Sequence, residues 1–225
     1  MLADYHAWLK VADTALPKNI FGYILQLCLS PLRSKPFDIT SYDKPKEIAK
    51  CGDSGKLSFL PATFPERAGP RPTILKYMAP NRQTSQLTDD GMHKLVAEAI
   101  HELATNHAKH VKVATSVLEK SGDALILNDN ITTAHTIAKK MRREIAHVHA
   151  GLGSGEFSIH LALSPQDCKK VIEGQWGERM TLSGTLMPQE YLLVYTPRTN
   201  EEVVVVKEIV EAAIKFMTGG LEFIE

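Results

Sequence analysis

The sequence predicts an α+β fold: an antiparallel β-sheet with a histidine-bearing hairpin, packed by N-terminal, middle and C-terminal helices. Three observations carry this. Two apolar runs, residues 145–149 and 157–163, flank the turn-forming string Gly151-Leu152-Gly153-Ser154-Gly155, the pattern of a hairpin. Apolar stripes at helical spacing precede and follow it. No regular strand–helix alternation marks a parallel winding.

The chain has 225 residues, of which 44% are hydrophobic and 23% charged, enough to bury a sizeable core without staples. It reads as one domain, 1–225, with a helical and proline-rich N-terminal part (1–87) and an α+β core (88–225). Lys+Arg and Asp+Glu both number 26, so the formal charge is zero. The only dense basic cluster is Lys139, Lys140, Arg142 and Arg143, which reads as a solvated helix face, so no nucleic-acid partner is expected. Cys28, Cys51 and Cys168 are far apart and form no CxxC, which points to a reducing compartment without a disulfide framework. Cys28 and Cys168 read as packing residues in helices. No signal peptide is visible. The longest apolar run, residues 20–29, contains Gln26 and is too short to cross a bilayer, which takes about 20 residues. It reads as a core helix or an interfacial one, and the chain as intracellular, in the cytoplasm or at the periphery of an internal membrane.

In chain order, Pro17 suits a first helical position, and Ile20, Phe21, Ile24, Leu25 and Cys28 make one stripe that Pro31 stops. Residues 34–72 hold too much proline for long elements, although Leu57, Phe59, Leu60 and Phe64 can tie them to a core. Residues 73–78 are a short candidate strand. Thr88 caps the next helix, whose face is Leu95, Val96, Ala99, Ile100 and Leu103. Residues 111–118 and 124–127 read as strands around Ser121-Gly122-Asp123, and 132–143 as a polar helix. After the histidine hairpin, Ser164-Pro165 opens a short helix that Gly174 ends. Residues 191–195 are a strand, and Thr199 with Glu202 suggests a capping box for the last helix.

Side chains alternate along a strand, so His147 and His149 share a face, with Cα atoms about 7 Å apart. Pairing Val148 with the Phe157/Ile159 face puts His160 on the histidine face, opposite His147, with the turn centred near Gly153. Three such imidazoles can act as general bases, can hold a metal with an open position, or can simply bond to neighbours. His93, His101, His107 and His110 read as solvated; His135 and His6 carry less information. Trp176, between Gly174 and Gly177 in what reads as a loop, is either a plug over the core or the wall of a pocket. Glu178 and Arg179 can orient a polar substrate or pair with each other. Arg198, at a strand-to-helix junction, can hold an anionic oxygen or pair with Glu201 or Glu202.

These residues form a series: Arg143-Glu144-Ile145-Ala146-His147-Val148-His149, Ile159-His160-Leu161-Ala162-Leu163, Trp176-Gly177-Glu178-Arg179, Tyr195-Thr196-Pro197-Arg198 and Phe216-Met217-Thr218. The series resembles the luciferase domain of bioluminescent fungi and their non-luminous relatives. Weaker matches at Asp4-Tyr5, Trp8-Leu9, Phe21-Gly22-Tyr23-Ile24 and Arg71-Pro72-Thr73-Ile74 extend the resemblance over nearly the whole chain. It implies an oxygen-using enzyme that oxidises a hydroxylated hispidin-like pyrone or a related phenolic through a peroxide that loses carbon dioxide, with possible light emission. It implies no organic cofactor, molecular oxygen being the co-substrate; with a hairpin histidine as the general base, no bound metal is expected. His147, His149 and His160 are then the catalytic candidates, and Trp176, Glu178, Arg179, Arg198 and Arg71 the substrate-binding ones. Luminous members carry a preceding membrane-spanning segment, so membrane association through a segment absent from this chain is also implied. Two features depart from the family: Met180-Thr181 stands where His-Pro is usual, and residues 151–155 replace a more polar turn. A catalytically silent binding relative and a three-histidine metal enzyme are the alternatives.

Overall fold

The computed structural model describes residues 2–12, 16–149 and 156–220; the turn expected at 151–155 lies outside them. Six strands form one sheet in the order β1-β2-β3-β4-β6-β5, antiparallel throughout. They are β1 (Val111–Thr115), β2 (Asp123–Leu127), β3 (Glu144–Val148), β4 (Ile159–Ala162), β5 (Gly177–Arg179) and β6 (Tyr191–Val194). The sheet and its helices make the α+β fold that the hairpin and stripe pattern predicts. Strands β3, β4 and β6 are buried along their whole length, so their sequences are nearly continuous apolar runs with a few polar residues set among them.

Two long helices cover one face of the sheet. Helix α4 (Asp90–Asn106) turns Met92, Val96, Ile100 and Leu103 inward, and α7 (Asn200–Met217) turns Val206, Ile209, Val210 and Ile214 inward. They share one core with Ala146, Val148, Ile159, Leu161, Leu192 and Val194. Burying side chains of this size stabilises by roughly 1.5–3 kcal/mol each before entropy is counted. Both helices are capped by side chains: Asp89, rather than Thr88, accepts from the Met92 N–H, and Thr199 accepts from the Glu202 N–H. Ser164 caps α6 (Pro165–Glu173) in the same way. The proline-rich segment is tied down as expected, with Leu60 in the core and Phe59 and Phe64 against it. Cys168 is buried, as a packing residue should be.

Several elements differ from expectation. Residues 73–78 form no strand; Ile74 makes an isolated bridge to Gln83. The polar helix is a short α5 (Thr136–Lys140) capped by His135. The Trp176 loop runs into β5, a strand too short to show alternation. An additional helix, α1 (Leu2–Val11), precedes the expected N-terminal one, and a short α3 (Pro45–Lys50) lies within the proline-rich part. Helix α2 (Ile20–Leu29) is capped by Asn19 rather than started by Pro17. Its buried residues are Gly22, Tyr23 and Gln26, while Phe21 is 76% and Ile24 50% exposed. The apolar stripe therefore faces away from the core, and Cys28 is exposed rather than packed. The inward orientation is set by polar anchors. Tyr23 donates to Asp4 at 2.7 Å, and Gln26 accepts from the Met78 N–H at 3.3 Å. Among the described residues no helix is long and apolar enough to cross a membrane.

Candidate active site

The β3–β4 register pairs His147 with His160 and Val148 with Ile159, and the His149 N–H donates to Ser158 O at 3.0 Å. The parity expected from the sequence holds: the three imidazoles share the sheet face opposite α4 and α7. Their ring centroids are 5.4 Å apart for His147 and His149, 5.4 Å for His147 and His160, and 4.7 Å for His149 and His160. All three are at most 3% exposed. Four central sheet positions form one row across this face: Ala124, His147, His160 and Leu193, with Glu178 beyond on β5.

Each imidazole is held through Nδ1. His147 Nδ1 lies 2.6 Å from Glu144 Oε1, and Glu144 in turn accepts from Ser116 Oγ and from the Val117 and Leu118 N–H groups. His149 Nδ1 lies 3.0 Å from Ser158 Oγ and 3.2 Å from Glu156 Oε2; Ser158 donates to Glu156. His160 Nδ1 lies 3.1 Å from Leu192 O, and its ring stacks on Tyr191 at 5.1 Å. A carbonyl only accepts, so His160 carries its proton on Nδ1 and leaves Nε2 as an acceptor. The carboxylates behind His147 and His149 favour the same tautomer.

Glu119, in the connection between β1 and β2, completes the cluster. Its Oε1 lies 3.6 Å from His147 Nε2 and 3.8 Å from His149 Nε2, and its Oε2 takes Arg82 Nη2 at 2.8 Å. Both Nε2 atoms are fully buried without a hydrogen-bond partner among the described residues. One donor atom from each of Glu119, His147 and His149 lies within 4.8 Å of the others, close enough to share a metal ion; His160 falls outside that group. The group with metal-ligand spacing is thus two histidines and a carboxylate rather than the three histidines of the metal-enzyme alternative. Nothing in the local sequence around Glu119 signals this role, because the connection between β1 and β2 brings it to the histidine hairpin only in the folded chain.

Burial alone would raise the Glu119 carboxyl, but His147, Arg82 and His149 together hold it below its usual range. Burial pushes His147 down, yet Glu119 and Glu144 outweigh it and leave the ring more basic than usual. Burial, then Arg82 and His147, holds His149 well below its ordinary value. Burial, then His149 and His147, does the same to His160. The site therefore has one cationic-leaning ring between two carboxylates, beside two neutral rings.

Of the expected substrate-binding residues, Glu178 keeps the histidine face, while Trp176, Arg179 and Arg198 make their bonds elsewhere. Trp176 is a plug: its indole donates to Pro65 O at 2.7 Å and packs edge-on against Phe64. Trp176 and Arg179, both expected at the substrate, make their hydrogen bonds away from the histidines. Trp176 stands three strands from β3, about 14 Å away at ordinary strand spacing. Arg179 pairs with Leu192, in the row of Leu161 and Ala146 on the opposite face, and bonds Ser183 O and Gln189. It does not pair with Glu178. Glu178 keeps the histidine face, accepts from Tyr195 Oη at 2.9 Å and is pushed up by burial. Arg71 donates to Gly177 O and Ile172 O and lies over Phe37, so it fastens the overlying segment to β5 and α6. Arg198 pairs with Glu202 rather than presenting an open anion site. Of the histidines expected to be solvated, His93 instead stacks on Phe157 at 4.6 Å, and His107 is only partly exposed.

Fold and site together define an α+β protein that buries a histidine–carboxylate cluster on one face of its sheet. Residues 142–213 match the family model of the luciferase domain. The luciferase of Neonothopanus nambi is 33% identical over 228 residues, covering 96% of this chain and 80% of that protein. The luciferases of Armillaria ostoyae and Armillaria gallica are each 31% identical, with coverage of 96% and 81%. This chain belongs to the luciferase-domain family. No solved structure matches it.

Proposed function

We propose that the chain is a luciferase-like oxygenase that oxidises a hydroxylated hispidin-like pyrone or a related phenolic with molecular oxygen and without an organic cofactor. The observation that carries this reading is the cluster itself: three imidazoles on one buried sheet face, each fixed through Nδ1. A hydroxypyrone is acidic, and its conjugate base is electron-rich enough to reduce oxygen. The enzyme must take up one proton and exclude bulk water. His160 is the assigned base, since Leu192 O fixes its proton on Nδ1 and leaves Nε2 to accept another. Glu178 and Tyr195, on the same face, offer a polar wall for the ring substituents. The relatives are named luciferases, and family membership supports the oxidation of a small organic substrate. The test is incubation with 3-hydroxyhispidin in air while oxygen uptake and light are followed together. Uptake without light keeps the oxygenase reading; neither signal rejects it for this substrate.

A second reading has its own observation. Met180 occupies the position where the family pattern usually has histidine, and its sulfur accepts from the Leu182 N–H instead. A silent binding relative would bind the pyrone, read as fluorescence quenching, and consume no oxygen.

A further inference from the structure

We propose that Glu119, His147 and His149 bind one divalent first-row transition-metal ion through Glu119 Oε1 and the Nε2 atoms of both histidines. Four observations converge. The donor atoms lie within 4.8 Å of one another, with Oε1 at 3.6 and 3.8 Å from the two nitrogens. Ligands about 2.0–2.2 Å from a shared ion sit about 3–3.5 Å apart, so rotamer adjustments close the site without moving the sheet. Both Nε2 atoms are buried with no hydrogen-bond partner among the described residues, and a buried polar atom without a partner costs free energy that a ligand relieves. Behind each histidine a carboxylate receives Nδ1, as in the carboxylate–histidine–metal arrangement that orients and strengthens imidazole ligands. Finally, Glu119 and Glu156 both face the Arg82 guanidinium while Glu144 stands behind His147, so three carboxylates lie close to the donor atoms that would hold a cation.

Two histidines and one carboxylate leave coordination positions open, and this donor set suits ferrous iron in oxygen-using enzymes. The choice of iron over zinc rests on the oxygenase reading above; the existence of the site does not. The Glu119 side chain, 18% exposed, marks the edge through which an ion enters. His160, with its ring 4.7 Å from that of His149, stands beside the open positions.

The test uses the full chain, stripped with chelator and then titrated with Co²⁺, Zn²⁺ and, without oxygen, Fe²⁺. We expect one ion per chain, a visible Co²⁺ absorption, and pulsed-EPR couplings from two imidazole nitrogens when Cu²⁺ is the probe. His149→Ala and Glu119→Gln should weaken binding by at least about a hundredfold, while His160→Ala retains stoichiometric uptake. Circular dichroism checks that each variant folds, and the wild-type EPR signature carries the test if the buried variant does not. No stoichiometric uptake by the stripped wild type, as when an ordered water satisfies both nitrogens, overturns the proposal. So does uptake unchanged in Glu119→Gln, or coupling to fewer than two imidazoles. These readings involve no substrate, so their failure is separate from a failure of oxygen uptake.

Discussion

His147 and His160 face each other across β3 and β4 with ring centroids 5.4 Å apart, yet Nδ1 of one meets a carboxylate and Nδ1 of the other a backbone carbonyl. Two rings in one row of the sheet thus have different tasks. His160→Ala should lower oxygen uptake by at least about a hundredfold, the usual share of a positioned base, while metal content stays at the wild-type level. His147→Ala should lower both. The measurements are oxygen electrode rates and metal analysis on the same samples. Wild-type rates in His160→Ala would exclude it as the base.

Glu144 positions His147 from behind and touches neither substrate nor ion. Glu144→Gln keeps an acceptor for the Ser116, Val117 and Leu118 donors but removes the negative charge behind the ring. Metal affinity should fall by about 10–100-fold, with the Co²⁺ absorption band shifted. A purely structural role for Glu144 would lower thermal stability and leave the affinity of the folded protein unchanged.

Met180 pairs through its N–H with Tyr191 O, and Tyr191 stacks on His160. Met180→His restores the residue usual in the family at a position linked to the assigned base through Tyr191. It should raise oxygen uptake by up to about a hundredfold if that histidine carries a proton. An unchanged rate would show that the departure at this position costs no catalysis.

Arg198 was expected at a substrate anion, and the structure binds it to Glu202 and Ala68 O. Arg198→Ala should destabilise by about 1–2 kcal/mol, the scale of a partly buried charge-assisted pair. KM for the proposed pyrone substrate should not change. Denaturant unfolding and steady-state kinetics separate the two, and a raised KM at unchanged stability would return Arg198 to the substrate site.

His135 gives the fold an acid-sensitive point. Its ring bonds Phe216 O at 3.0 Å, accepts from the Ala138 N–H at 3.2 Å and stacks on Phe216. Burial holds it below its ordinary value, so the folded state takes up a proton less readily than the unfolded chain. The stability it contributes is complete above about pH 6.5 and falls as the pH drops toward the lowered folded value. Thermal unfolding should show a loss between about pH 7.5 and pH 5.5, and His135→Asn, which keeps a cap acceptor, should show a smaller loss. Equal pH slopes for the two proteins would remove His135 from the account.

The sequence by itself determined the hairpin, its register and the common face of His147, His149 and His160, because strand alternation is strict and an apolar face can be buried in only one parity. It determined α4 and α7, whose stripes run for several turns, and the helix opened by Ser164-Pro165. Tertiary structure alone decided the rest. Glu119 reaches the histidines because the β1–β2 connection folds over the sheet, and no local pattern records where a connection lands. β5 is three residues long and follows a short turn, too short for a period to appear, so the register that turns Arg179 away from the histidine face is not legible in the sequence. The stripe of α2 reads as a core face, but Tyr23 and Gln26 are anchored to Asp4 and Met78 and turn that stripe outward. Periodicity fixes which side chains share a face; only the long-range contacts that close the chain fix what that face meets.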